Sequence, residues 1–268
     1  KRIFNNNNIE FLNFLKNNKF KVLKNSYSNY QDTHTSITST LNMDYLHNSI
    51  ENFSEIKNNY NLTRSKIYDS MQNNYVFKLL KTYGYTIINH NSDYGFSSNL
   101  KNADFNINCS IFSDSMYLYY FQSTLIGSFE KQLRKINLSF LYDSNRKNIL
   151  CNFDSIKNLK NEFNSPFFSF SHFLSPHPPF LFKEDGSKVN FTNLSLVDEI
   201  SYLDKKLYIG QLKFINFKTK DLIKNILAND KESIIIIQSD HGSKYLAKLL
   251  GSKDNDPNID RRTIYTSE

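Results

Sequence analysis

Asp240 and His241 stand side by side after the run Ile234-Ile235-Ile236-Ile237, and Gly242 follows them. A carboxylate oxygen and an imidazole nitrogen are both good ligands for a divalent cation. A glycine beside them lets the backbone turn sharply. The tetrapeptide Ser239-Asp240-His241-Gly242 would equally suit an ordinary strand-to-helix turn, with aspartate capping and glycine bending. A second group lies in "SFSHFLSPHPPFLF", where His172 and His177 are five positions apart across a loop stiffened by prolines. Two such imidazoles could converge on one anionic oxygen or assist at a metal. The third group is "DTHTSITSTLNM", in which Thr33, Thr35, Ser36, Thr38, Ser39 and Thr40 crowd the start of an expected helix. Hydroxyls are good helix caps. A helix N-terminus also offers free N–H groups to an oxyanion or phosphate. A threonine alkoxide does not form unaided near neutral pH, but a bound divalent ion lowers the pKa of an attached oxygen by many units. A threonine nucleophile therefore calls for a metal, and Asp240 with His241 could hold it.

The elements that must position these groups follow from apolar spacing. Ile9, Phe11, Leu12 and Leu15 predict a helix over 9–17, and "KFKVLKNS" alternates like a strand. Ile37, Leu41 and Tyr45 predict a helix through the hydroxyl-rich stretch. Ile67, Met71, Tyr75 and Leu79 predict another that stops at Gly84. "YTIIN" reads as a short strand, "MYLYYF" through "LRKI" as helix, and "PFFSFSHF" as a strand. A helix from about Leu194 to Leu227 leads into "SIIIIQS". A helix feeding an all-apolar β-branched run predicts a central strand covered on both faces, with the chemistry just past its carboxyl end. "NEFNS" and "KEDGSKVNFTN" are the candidates for surface insertions.

Composition narrows the function classes. Hydrophobic residues make up 39% of the 268, enough to bury a sizeable core and to exclude intrinsic disorder. The formal net charge is +7, but the basic residues are scattered, so no stripe tracks a nucleic-acid backbone. Cys109 and Cys151 lack CxxC spacing. They could pair in an oxidising compartment, but the expectation here is two buried thiols.

Taken in order, the three groups resemble the sulfatase-like branch of the alkaline phosphatase superfamily, which includes sulfatases, lipoteichoic acid synthases and phosphoethanolamine transferases. "FLNFLKNNKFKVLKNSYSNYQDTHTSITSTLNMDYL" looks like the nucleophile region of that family. "HFLSPHPPF" looks like its histidine loop, and "IIIIQSDHG" like its late metal-binding strand. The resemblance implies an α/β fold, a three-layer α/β/α sandwich with a mostly parallel central sheet, spanning residues 1–268 as one catalytic domain. It makes Thr33, followed three residues later by Ser36, the nucleophile, with Thr35 and Thr38 as rivals.

The resemblance further implies that Asp240, His241 and Thr33 bind the metal, zinc or manganese ahead of magnesium or calcium. His172 and Ser36 would contact the substrate, and His177 would act in catalysis. A further acidic ligand is expected on a strand lying before Lys1. Dedicated sulfatases of this family use a formylglycine made from cysteine or serine, and threonine cannot give that aldehyde. The expected chemistry is therefore metal-dependent transfer or hydrolysis of phosphoric esters on a lipid headgroup or surface glycan. The alternatives are a sulfate-ester hydrolase and a non-catalytic anion- or glycan-binding domain. Relatives with a threonine nucleophile are commonly tethered by membrane helices with the catalytic domain outside the cytoplasm, and the same is expected here.

Overall fold

The structure is a computed structural model and describes residues 8–23, 26–56, 59–92, 94–109, 139–164, 166–189 and 205–242. Chain contacts divide it into two compact units, Lys1–Tyr83 with Ile234–Glu268, and Gly84–Ser233.

The first unit is helical among its described residues. Helix α1 spans Ile9–Asn17 and buries Leu15. It ends with Lys19 in the left-handed region (φ 66), where the N–H of Lys19 bonds to the Lys16 carbonyl and that of Phe20 to the Leu15 carbonyl. These paired bonds close the helix by the Schellman pattern. The turn takes up the start of "KFKVLKNS", and no strand forms over Phe20–Leu23, contrary to the alternation there. Helix α2, Thr33–Asn42, buries Ser36, Ile37, Thr38, Ser39 and Leu41, and ends at left-handed Met43. The short turns α3 (Leu46–Ser49) and α4 (Phe53–Ile56) follow.

The helix expected through Ile67 and Leu79 is two helices, α5 (Tyr60–Gln72) and α6 (Tyr75–Thr82). Asn74 breaks it. Its buried Oδ1 accepts from the Phe77 N–H at 3.0 Å, capping α6, and its Nδ2 donates to the Met71 carbonyl at 3.1 Å. A satisfied cap outweighs continuous apolar spacing because it supplies a partner to an otherwise orphaned N–H. Asn42 joins the three helices: its Nδ2 reaches the Thr38 carbonyl and Ser70 Oγ, and its Oδ1 accepts from the Tyr75 N–H.

Ile234–Ile237 departs most from expectation. It pairs with no described residue, and Ile234 and Ile236 are 91% and 77% exposed. β-branched residues favour an extended backbone, but burial requires a neighbouring strand and a covering layer, which no local pattern encodes.

The second unit carries a parallel sheet in the order β2-β1-β3. Strand β1 is Thr86–His90, β2 is Phe105–Ile107 and β3 is Phe167–Ser171. Ile87 and Ile88 are fully buried, as a strand flanked on both sides requires. A one-turn helix α7, Gly95–Ser98, follows β1. Helices α8 (Ser139–Glu162) and α9 (Lys205–Asn229) pack together, with Ile149, Phe153, Leu181, Phe182, Phe214 and Leu222 as the shared core. Truncating a ring such as Phe182 would cost about 3–5 kcal/mol. The segment after it is less of a surface insertion than its composition suggests. Val189 is buried, and Gly186 (φ 80) lies so close to the Phe214 ring that a Cβ would collide with it. The helix expected around 116–136 and the first part of the one expected from Leu194 lie outside the described residues. The parallel sheet and its helices bear out the α/β fold class.

The cysteines also depart from expectation. Cys109, just past β2, and Cys151, on α8, form a disulfide with their Cα atoms 5.8 Å apart. They are 42 positions apart, and their pairing depends on the chain bringing α8 back beside the end of β2.

Candidate active site

In the first unit, the start of α2 meets the turn after the isoleucine run. Asp32 precedes the helix in an extended conformation, and its carbonyl accepts the Ser36 N–H at 2.9 Å, closing the first turn. That leaves Thr33 on the first turn of the helix. Its Oγ1 lies 3.2 Å from His241 Nε2 across 208 positions of chain. His241 Nε2 is also 3.4 Å from Asp240 Oδ2.

His241 Nδ1 lies 2.8 Å from the Gly242 carbonyl oxygen. A carbonyl only accepts, so Nδ1 carries a proton, and the tautomer this selects has its lone pair at Nε2. Ser36 Oγ donates to the Asp240 carbonyl, and Ser239 Oγ donates to the His241 carbonyl at 2.7 Å. These two bonds hold the backbone that presents the carboxylate and the ring.

The three hydroxyl candidates are placed differently. Thr33 faces His241. Thr35 Oγ1 donates to the Asp32 carbonyl at 2.8 Å. Thr38 is fully buried, and its Oγ1 has no hydrogen-bond partner among the described residues. Ser36, expected to touch substrate, is 2% exposed and bonded to the Asp240 backbone. A hydroxyl has one proton to give, and here it holds the turn.

His241 Nε2 therefore has both Thr33 Oγ1 and Asp240 Oδ2 near it. Ligands at ~2.0 Å from one small ion in tetrahedral geometry lie about 3.3 Å apart, close to the two separations seen. Among the described residues, no group of three His, Cys, Asp or Glu side chains is placed to hold a metal. Asp240, His241 and the Thr33 hydroxyl are oxygen and nitrogen donors of the kind a divalent cation takes.

In the second unit, the two loop histidines have separate anchors. His172 follows β3, with Nδ1 2.8 Å from Ser97 Oγ and its ring edge-on to Tyr94. His177 is exposed; its Nδ1 donates to the Pro178 carbonyl at 2.6 Å. Its own carbonyl accepts from Gln211 Nε2 on α9, and Gln211 Oε1 takes the N–H groups of Leu181 and Phe182. Buried Gln211 thus fixes the backbone after the proline turn. Nothing in the apolar spacing of α9 marks it.

His90, which no motif singles out, ends β1. It is fully buried, with Nδ1 2.9 Å from Ser155 Oγ and Nε2 2.9 Å from Ser169 Oγ. Burial disfavours the imidazolium and lowers its pKa to about 4. Its position at the end of an apolar strand was the one available signal.

A family model described as Sulfatase matches residues 3–262. No curated protein and no solved structure matches the chain.

Proposed function

The chain belongs to the sulfatase family, and on that premise we propose that it transfers or hydrolyses phosphoric esters through Thr33, on a lipid headgroup or a surface glycan. Membership itself makes it a hydrolase-like enzyme of sulfate or phosphate esters, in a family whose members generally use a divalent metal. The observation that carries the finer reading is the approach of Thr33 Oγ1 to His241 Nε2, with Asp240 beside them. A divalent ion, zinc or manganese ahead of magnesium or calcium, held by Asp240, His241 and Thr33, would lower the pKa of the hydroxyl and offset the charge of the ester.

In the first half-reaction Thr33 Oγ1, its proton lost to solvent, forms a bond to phosphorus while the bond to the leaving oxygen breaks. The roles of the two loop histidines rest on the family resemblance alone: His177 would give that oxygen a proton, and His172 would donate an N–H to a non-bridging oxygen. In the second half-reaction water or an acceptor hydroxyl attacks phosphorus, its proton returns to His177, and the Thr33 oxygen is released. Thr33 in the nucleophile position supports phosphoryl over sulfuryl chemistry because it cannot become a formylglycine. The disulfide supports the same choice, since neither cysteine is free for that conversion. It also supports an oxidising, extracytoplasmic location for the domain. The proposed protein is membrane-tethered, although no helix among the described residues is long and apolar enough to cross a bilayer. Scattered charge gives no reason to add a nucleic-acid partner.

The test is to load the protein with Zn²⁺ or Mn²⁺, supply paired chromogenic phosphate and sulfate esters, and map covalent adducts by peptide mass spectrometry. Turnover of the phosphate ester with phosphate trapped on Thr33 is expected. Turnover of the sulfate ester alone, or an adduct on another residue, would overturn the proposal.

A further inference from the structure

We propose that Ser97 is a positioning residue that sets the ring of His172 through Nδ1, an inference that rests on reading His172 as a contact to the ester's phosphoryl oxygen. Ser97 lies on the one-turn helix α7 and is fully buried; Ser92 is 2% exposed. Their hydroxyls are 2.8 Å apart, and Ser97 Oγ is 2.8 Å from His172 Nδ1. The chain is closed at its far end by Tyr94, whose N–H donates to Ser92 Oγ and whose carbonyl can accept from it, each at 3.3 Å. The Tyr94 ring also meets His172 edge-on, with centroids 5.8 Å apart.

The helix that carries Ser97 is itself held. Asn89 of β1 donates from Nδ2 to the Ser98 carbonyl at 3.2 Å and to Asn106 Oδ1 of β2 at 2.8 Å. The serine hydroxyl therefore reaches His172 from the body of the sheet, not from a free loop.

A hydroxyl both donates and accepts, so the chain can run in either direction. With the neutral ring's proton on Nε2, as a contact to substrate through that nitrogen requires, Ser92 donates to Ser97 and Ser97 to Nδ1; with it on Nδ1, the ring donates to Ser97, whose own proton turns to Ser92 or to the Tyr94 carbonyl 3.4 Å away. With a cationic ring, Nδ1–H donates to Ser97, Ser97 to Ser92, and Ser92 to the Tyr94 carbonyl. The ring keeps its orientation in both states. With Nδ1 engaged by Ser97, a phosphoryl oxygen would be met through Nε2–H.

The test uses the full chain labelled with ¹⁵N-histidine, in which the His172 signals are those lost in His172→Gln. Wild type should show a single neutral tautomer with the proton on Nε2. Ser97→Ala should show averaged tautomers, and Ser97→Thr should restore the wild-type pattern. Ser92→Ala, one step further from the ring, should also disturb the balance and serves if Ser97→Ala does not fold. Unchanged ¹⁵N shifts in the folded variant would overturn the proposal.

Turnover completes it. Ser97→Ala should lower kcat/KM roughly tenfold, in the range of residues that orient a functional histidine, and should add nothing in the His172→Gln background. An equal loss in both backgrounds would make Ser97 merely structural and overturn its positioning role. Full activity in His172→Gln alone would instead overturn the substrate-contact reading, whatever the ¹⁵N spectra show.

Discussion

His241 and His90 are each within hydrogen-bond distance of a hydroxyl, yet they are built for opposite ends. His241 has its Nδ1 proton pinned to a backbone carbonyl and its Nε2 lone pair facing Thr33 Oγ1, with the Asp240 carboxylate 3.4 Å away and the ring partly accessible. His90 has serine hydroxyls on both nitrogens, no solvent access and a pKa lowered to about 4. An imidazole beside a hydroxyl is thus not in itself a catalytic device. On the proposed reading, a charged neighbour and access to solvent would make one pair reactive. Burial without a counter-charge keeps the other neutral and structural.

Deleting one hydroxyl from each pair tests this contrast most strongly. Thr33→Ala should reduce ester turnover roughly a thousandfold or more, with unfolding free energy changed by no more than about 1 kcal/mol. Ser155→Ala should leave turnover per folded molecule intact and cost about 1–3 kcal/mol, because it strands a buried His90 nitrogen. Kinetics alongside urea unfolding read both. A Thr33→Ala enzyme that keeps its turnover would erase the distinction. Metal content should fall in Asp240→Ala/His241→Ala and remain in Ser155→Ala, as elemental analysis would read.

The disulfide bears on the sealed side of the comparison. Cys151 lies one turn before Ser155 on α8, so the bond to Cys109 holds the helix that covers His90. In the loop-entropy picture, closing a separation of 42 residues contributes about 4 kcal/mol. Cys109→Ser/Cys151→Ser should lower the unfolding free energy toward that extent and let the His90 pKa rise toward its ordinary value. NMR titration of His90 measures the second effect.

The pH dependence of stability is next in size. His90 has a folded-state pKa of about 4, against 6.5 as its ordinary value. The unfolded chain takes up the proton first as pH falls, so the stability associated with neutral His90 is complete above pH 6.5. It is lost between there and pH 4, by about 3 kcal/mol. Urea unfolding across that range should show the loss in wild type and a smaller one in His90→Gln.

The smallest effect belongs to the surface. Lys157 of α8 holds the Asp221 carboxylate of α9 below its usual pKa range by a hydrogen bond. The pair is solvent-accessible, so Asp221→Asn should cost under about 1 kcal/mol and leave His90 sealed.

Much of the fold was legible in local pattern. Apolar spacing marked α1, α2 and the described part of the last long helix, and short apolar runs marked β1 and β3. Each of these depends on contacts between near neighbours, which spacing records directly. The failures were of two kinds. Asn74 split a helix through a cap, and Lys19 ended one through a left-handed turn, both side-chain or backbone details that hydrophobic period does not register. Ile234–Ile237 has strand composition without a strand partner among the described residues.

For the site, the residue types in "DTHTS", "HFLSPH" and "SDHG" were enough to single out Thr33, His172, His177, Asp240 and His241 and to lead to the family, because the chemistry depends on which groups are present. Which groups meet was decided by the tertiary structure. Thr33 and His241 approach across 208 positions, Cys109 finds Cys151, Ser36 turns to the Asp240 backbone, and Ser97 reaches His172 across 75. A contact between distant positions exists only once the intervening chain has folded, and burial, the property that separates His90 from His241, belongs to the whole packed unit and to no residue in it.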